Sequence, residues 1–190
     1  DVKVTVEMPS REKAEKLISY IDVQFDESDD LVSAKTVIDD KFNFSGWGSG
    51  SRRFSIDYTV KMPVALALTL SNRYGDTDID ELNGLINLDI KYGNLKAGKL
   101  IRGNIKPISK VNLAYGKASI DETGWLDMII RFAGSVGITK SQALLIDSKY
   151  SKLSLGATSS VVGESKYDNI RIESINNLIL ENGYTEVNIG

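Results

Sequence analysis

From about residue 66 to its end, the chain alternates apolar and polar residues. In the stretch SKYSKLSLG at 148–156, Leu153 and Leu155 are the apolar residues after the tyrosine. In SKYDNIRIE at 165–173, Ile170 and Ile172 hold the equivalent places. A period of two is typical of β-strands that bury one face. The pattern therefore predicts an all-β region made of short strands.

These two similar phrases are seventeen residues apart, and the interval recurs along the chain. One aromatic column contains Tyr74, Tyr92, Tyr115, Phe132, Tyr150, Tyr167 and Tyr184, at spacings of 18, 23, 17, 18, 17 and 17 residues. Such a period is too short for a βαβ crossover but fits one coil of a β-solenoid. We therefore predict a single-stranded right-handed parallel β-helix of about seven coils over 66–190, its hand following the crossover rule.

The aromatic column shares its parity with an apolar column four residues earlier, which predicts that the rings form an internal stack at a corner. We expect the small or polar residue after each ring to supply the sharp bend. These residues are Gly75, Gly93, Gly116, Ser151 and Asp168. The alternative is an exposed aromatic stripe that binds sugar rings.

The first third of the chain has a different pattern and predicts an N-terminal capping section over 1–65, continuous with the solenoid as one domain. Pro9 and Ser10 precede a helical pattern, with Ser10 as the expected N-cap. The predicted elements are a strand at 2–8, a helix at 10–21, strands at about 22–26, 31–38 and 53–62, and a Gly/Ser-rich loop at 43–51 that carries Trp47.

Two charged columns precede the aromatic column. The acidic residues are Asp89, Asp147, Glu164 and Glu181, and the basic residues are Arg73, Lys91, Arg131, Lys149 and Lys166. An acidic and a basic residue two positions apart on one strand can form an ion pair, which offsets like-charge repulsion between stacked coils. We predict such pairs for Asp89/Lys91, Asp147/Lys149 and Glu164/Lys166. The candidate ligand-binding residues are Asp147, Glu164, Glu181, Lys149 and Lys166. A second acidic group is Asp76, Asp78, Asp80 and Glu81, in which Asp78 is expected to face Lys96.

Composition narrows the chemistry further. The chain has no cysteine and no histidine, which excludes disulfides, Ser–His–Asp and Cys–His catalysis and ordinary zinc sites. A net charge of −3 gives no electrostatic footprint for nucleic acid, and no apolar run is long enough for a transmembrane segment. We expect no catalytic residues, cofactor or metal. The start at Asp1 is interpreted as a processed N-terminus.

Several phrases resemble one bacterial family. These are PSREKAEKLISYIDVQF, FSIDYTVKMP, LSNRYGDTDIDELNG, KYGNLKAGKL, LAYGKASI and SKYSKLSLG. They are similar to adhesin-like β-helical proteins of unknown function, related to the auto-transporter adhesin head GIN domain. The resemblance implies a right-handed parallel β-helix exported to the periplasm, outer-membrane surface or extracellular space, with a signal peptide absent from this chain. It supplies no catalytic residues.

One coil is longer than the others, through the segment AGKLIRGNIKPISK at 97–110. It adds Lys99, Arg102, Lys106 and Lys110, and we expect a protruding basic loop. Both a tolerated bulge and a binding face remain open.

Three functions are compatible with this pattern. The sequence favours a non-enzymatic surface or periplasmic module that binds a glycan or a cell-surface protein. The alternative is a pectinase-like polysaccharide lyase or hydrolase, which would need clustered carboxylates for calcium with a nearby base, or an acid pair. The third is an assembly-forming structural protein.

Overall fold

A computed structural model describes residues 1–42 and 53–190. It is 67% strand and 4% helix, which confirms the predicted all-β class. Its contacts divide the chain into two compact units, Asp1–Lys61 and Met62–Gly190. The predicted loop at 43–51 with Trp47 lies outside the described residues, and the capping role of the first unit stays a prediction.

The first unit contains the one helix of the described residues. Its elements are β1 (Val2–Glu7), α1 (Arg11–Ile18), β2 (Ile21–Glu27), β3 (Val32–Ile38) and β4 (Arg53–Tyr58). β1 pairs with β4 and β2 pairs with β3, both antiparallel. Ser10 is the N-cap residue with an extended backbone, but its side chain makes no capping hydrogen bond among the described residues. The helix ends earlier than predicted.

The second unit is a stack of parallel coils. Its strands are β5 (Leu68–Arg73), β6 (Thr77–Leu82), β7 (Ile86–Lys91), β8 (Leu95–Leu100), β9 (Ser109–Ala114), β10 (Lys117–Arg131), β11 (Ser135–Lys149), β12 (Lys152–Lys166), β13 (Asn169–Gly183) and β14 (Glu186–Ile189). Every pairing among them is parallel. The result is the predicted β-solenoid, with about seven turns.

Equivalent residues of successive coils lie directly above one another, so the sequence columns become columns in space. Leu155, for example, pairs with Ile138 on one side and Ile172 on the other, and all three side chains are buried. The core is therefore a set of aliphatic columns that run along the stacking direction. Gly163 interrupts one of them, where its φ is 152° and an added Cβ would collide with the backbone oxygen of Ile146.

The predicted internal position of the aromatic column is wrong. The rings stack, but all of them are exposed, and each aromatic residue itself has a positive φ of 51 to 64°. A residue in the left-handed region breaks the two-residue alternation of a strand. The ring that parity places inside therefore lies outside, and a following residue such as Ser151 or Asp168 points inward and is buried. The aromatic residue makes the corner, not its follower.

The predicted basic loop is also smaller than expected. Lys99 lies within β8 and Lys110 within β9. Only Arg102 and Lys106 lie in the segment between these strands, and Arg102 is half-buried. The inserted residues therefore add two cations to a loop, not four.

Candidate functional site

The aromatic column forms a continuous ladder of stacked rings at one corner of the coil. Neighbouring ring centroids are 4.8 to 5.2 Å apart, and ring planes differ by 1 to 9°. The five inner side chains are 47 to 50% exposed, whereas Tyr74 is 78% and Tyr184 87% exposed. Because each inner ring has a neighbour on both faces, its exposed part is its edge and, in the tyrosines, its hydroxyl.

A groove follows the last four rings of this ladder, and we call it the ladder groove. Its volume is about 720 Å³. The lining residues are the four rings Phe132, Tyr150, Tyr167 and Tyr184 and the residues just after the first three, Ala133, Gly134, Ser151, Lys152, Asp168 and Asn169. The left-handed corner creates this groove, because it turns the rings outward and the next residues inward.

Buried hydrogen bonds fix the floor of the ladder groove. The carboxylate of Asp168 is 5% exposed and accepts from the Ser165 hydroxyl at 2.6 Å and from the backbone N–H of Ser151 at 2.7 Å. The Ser151 hydroxyl in turn accepts from the backbone N–H of Ala133 at 3.0 Å. These bonds join three successive coils, so the corners are held in a fixed relation to one another.

The rim of the ladder groove carries free polar groups. The hydroxyls of Tyr150, Tyr167 and Tyr184 make no hydrogen bond to any residue that the structure describes. Lys152 is exposed, and its ammonium forms no ion pair within 1–42 or 53–190. Asn169 donates its amide to Glu186 at 2.8 Å. The ladder groove can therefore offer hydroxyls, one ammonium group and apolar ring edges to a ligand.

Sequence reasoning predicts the stacking of the rings but not their exposure, and it misses the groove, including Lys152 and Asn169. The signal in the sequence is the small or polar character of the residues just after each ring, which is equally compatible with a sharp bend. In the structure these residues are the wall and floor of the ladder groove.

Three residues of the acidic column are brought together as predicted, whereas Asp89 is separated from them by Asn112 and Ile129. Asp147 pairs in register with Glu164, and Glu164 with Glu181. The predicted ion pairs within one strand are formed only in part. Asp89 and Lys91 lie 3.7 Å apart, but Asp147 pairs with Arg131 of the preceding coil.

The rest of the two charged columns is unpaired. Glu164, Glu181, Lys149 and Lys166 form no ion pair with any residue in 1–42 or 53–190. Residues two apart on a strand are about 6.6 Å apart, whereas neighbouring coils are about 4.8 Å apart. Directly opposite neighbours on successive coils have like charge, as Glu164 and Glu181 do, so a cross-coil ion pair in these columns has to be diagonal. Arg131 makes such a contact with Asp147, because its long side chain extends past its own register partner, Lys149.

The second acidic group is spread over cross-coil contacts. Asp78 faces Lys96 at 3.8 Å, as predicted, and Glu81 faces Lys99 at 3.9 Å. The carboxylate of Asp76 accepts from the backbone and side-chain N–H groups of Asn94, both at 2.9 Å. Within the described ranges, no group of three or more acidic residues has the arrangement of a metal site.

One cross-coil pair changes the pKa of a carboxyl group. Lys140 donates to Glu122 at 2.8 Å. This hydrogen bond and the charge of Lys140 hold the pKa of Glu122 below its ordinary value of 4.5, with a smaller contribution from Lys99. The pair lies on β10 and β11 and stabilises their register.

No protein-family model, curated protein or solved structure matches this chain. No helix among the described residues is long and apolar enough to cross a membrane. The conclusions about function therefore rest on the geometry of the ladder groove and of the charged columns.

Proposed function

We propose that the protein is a non-enzymatic, adhesin-like binding module of the periplasm or cell surface. In this proposal, an extended ligand lies in the ladder groove along the stacking direction of the coils. The observation that carries the proposal is the ladder itself, in which four successive rings present their edges to one groove. The family resemblance of the sequence agrees with this function and supplies the proposed location.

The regular spacing of the rings favours a polymer as the ligand. Each coil repeats the same edge and nearly the same neighbours after about 5 Å, as set by the strand spacing. A chain molecule with a regular repeat can make equivalent contacts with several coils. The contributions of these contacts to the binding free energy add up, so a deep cavity is not required. Solenoids use extended surfaces of this kind for binding.

The chemistry of the rim favours a glycan over an apolar ligand. The unpaired tyrosine hydroxyls can donate to and accept from sugar hydroxyls, and Lys152 can bind a sugar carboxylate. The faces of the inner rings are covered by their neighbours. Recognition would therefore use ring edges and hydroxyls, and not the stacking of a sugar on a ring face.

Affinity electrophoresis of the full chain in gels that contain polygalacturonate or a neutral glucan tests this proposal. We expect polygalacturonate to retard the chain, and Tyr150→Phe, Tyr167→Phe and Lys152→Ala to reduce the retardation. Tyr92→Phe is the matched control, because Tyr92 is a ladder tyrosine that does not line the groove.

Phe132→Tyr offers a gain-of-function comparison, since it adds a hydroxyl to the one ring of the ladder groove that has none. We expect stronger retardation by polygalacturonate for this variant. An absence of retardation in both gels, or an equal effect of Tyr92→Phe and Tyr150→Phe, would contradict glycan binding in the ladder groove.

A further inference from the structure

We propose that the outward face formed by the last residues of β11, β12 and β13 is an interface between two copies of this chain. Three parallel columns make up this face. On this face the aliphatic column is Leu145, Val162 and Ile179, the acidic column contributes Asp147, Glu164 and Glu181, and the basic column contributes Lys149 and Lys166, with Arg131 of β10 next to Lys149. This face precedes the aromatic corner along the chain, whereas the ladder groove follows it, so the inference goes beyond the proposed function.

The aliphatic column is unusually exposed for a row of large apolar side chains. Leu145 is 38%, Val162 39% and Ile179 60% exposed, and the three are paired in register across adjacent coils. They form a contiguous apolar strip beside the acidic column. A contiguous apolar strip bordered by charged residues is typical of an interaction site, whereas single exposed apolar residues are common on any surface.

The charges on this face are incompletely balanced within one copy. Glu164 lies between Asp147 and Glu181 in the acidic column, and only Asp147 has a cationic partner, Arg131. Lys149 and Lys166 are also direct neighbours. Like charges directly opposite one another on paired strands are destabilising. A partner that places the opposite sign against each column would relieve this repulsion.

A second copy has this pattern, because the order of the columns is self-complementary. Along β11 and β12 the order is aliphatic, acidic, basic and then aromatic, whereas β13 has Gly183 in the basic place. A two-fold axis parallel to the stacking direction, between the acidic and basic columns, places Asp147 and Glu164 opposite the lysines of the partner's equivalent strands, Lys149 and Lys166. The same rotation places the aliphatic column beside the partner's aromatic corner.

The charge order also selects one orientation of the two copies. A two-fold axis along the strands would place acidic columns against each other and basic columns against each other, and like-charge contacts suppress such pairings. The axis along the stacking direction gives parallel solenoids with the same coil spacing. In this isologous arrangement Glu164 faces the partner's Lys166, and the same contact recurs by symmetry.

Sedimentation velocity and light scattering of the full chain over the micromolar range test this inference. We expect a concentration-dependent dimer that high salt weakens. Glu164→Lys places like charges opposite each other twice per dimer, so we expect the dissociation constant to rise by about tenfold or more. The double variant Glu164→Lys/Lys166→Glu exchanges the signs and restores complementarity, and we expect its dissociation constant to return to the range of the parent chain.

Glu173→Lys is the matched control, because Glu173 is an exposed acid of the next coil that lies outside this face. We expect no change in its dissociation constant, and circular dichroism verifies the fold of each variant. A monomer throughout the concentration range would overturn the inference. So would a dimer that Glu173→Lys weakens as much as Glu164→Lys, or a double variant that stays as weak as the single one.

Discussion

Replacement of Tyr150 measures how much the ladder contributes to stability. A buried tyrosine removes about 150–250 Å² from water, and Tyr150 is 50% exposed, so about 100 Å² is lost on truncation. At about 25 cal/mol per Å² this amounts to about 2.5 kcal/mol. Two stacked neighbours add about 0.5 kcal/mol each at the low end of their range. Tyr150→Ala should therefore lower the free energy of unfolding by about 3.5 kcal/mol.

The end of the ladder provides the first comparison. Tyr184 is 87% exposed and stacks on one ring, Tyr167, so we expect Tyr184→Ala to cost only about 1 kcal/mol. Urea unfolding followed by far-UV circular dichroism, with m-values compared between variants, gives both numbers. Equal losses at the two positions would refute the assignment of stability to stacking on both ring faces.

The backbone of the corner gives the second comparison. At Tyr150 φ is 56°, a conformation in which any residue other than glycine loses about 1–2 kcal/mol of stability. Tyr150→Gly should therefore be at least as stable as Tyr150→Ala. At Ser154, an exposed position within β12, Gly should instead be less stable than Ala by about 0.5–1 kcal/mol. The same order at both positions would show that residue 150 is not in the left-handed region.

Three further predictions address the core, pH dependence and calcium. Gly163→Ala should cost more than about 3 kcal/mol in urea unfolding, because its Cβ meets the Ile146 carbonyl at a φ of 152°, whereas Gly134→Ala, which meets only side-chain carbons of Lys117, should cost little. By NMR titration, the pKa of Glu122 should lie below 4.5 and return toward it in Lys140→Met. Because the folded-state pKa is depressed, this pair stabilises the fold above pH 4.5 and the contribution is lost as the pH falls through the lowered pKa. Millimolar calcium and EDTA should give the same melting temperature, and polygalacturonate should gain no unsaturated ends. A rise with calcium that Glu164→Gln removes would favour a lyase.

The solenoid is predicted well from the sequence because every coil repeats the same pattern of apolar residues. Successive coils are in direct contact, so a residue suitable for the core in one coil is suitable at the same place in the next. The repetition of Leu155 and Ile172 therefore indicates both the strand and its register. The columns of the second unit follow directly from the alignment on the tyrosines.

The corner and the ion pairs follow less directly from the sequence. Parity along a strand holds only while the backbone stays extended, and Tyr150 and its equivalents leave the extended region. Whether the ring points inward or outward therefore depends on one backbone dihedral angle, which the pattern of apolar and polar residues does not reveal. Similarly, Asp147 is two residues from Lys149 in sequence but pairs with Arg131, which lies diagonally across the coil boundary and also donates to the Asp147 backbone oxygen at 2.6 Å. Alternation along one strand does not reveal such a diagonal contact.

Gly163 has a consequence for how the chain finds its own register. In a protein of near-identical repeats, a coil added one repeat out of place would keep most of its aliphatic contacts, so such misassembled states compete with the native one during folding. The coil that stacks on Ile146 must carry a residue without a Cβ at the contact point. The corresponding residue of the next coil is Leu180, whose side chain would collide with the Ile146 carbonyl in the backbone conformation that Gly163 adopts. A single glycine thus distinguishes two otherwise interchangeable repeats, and we expect it to disfavour the frame-shifted stack.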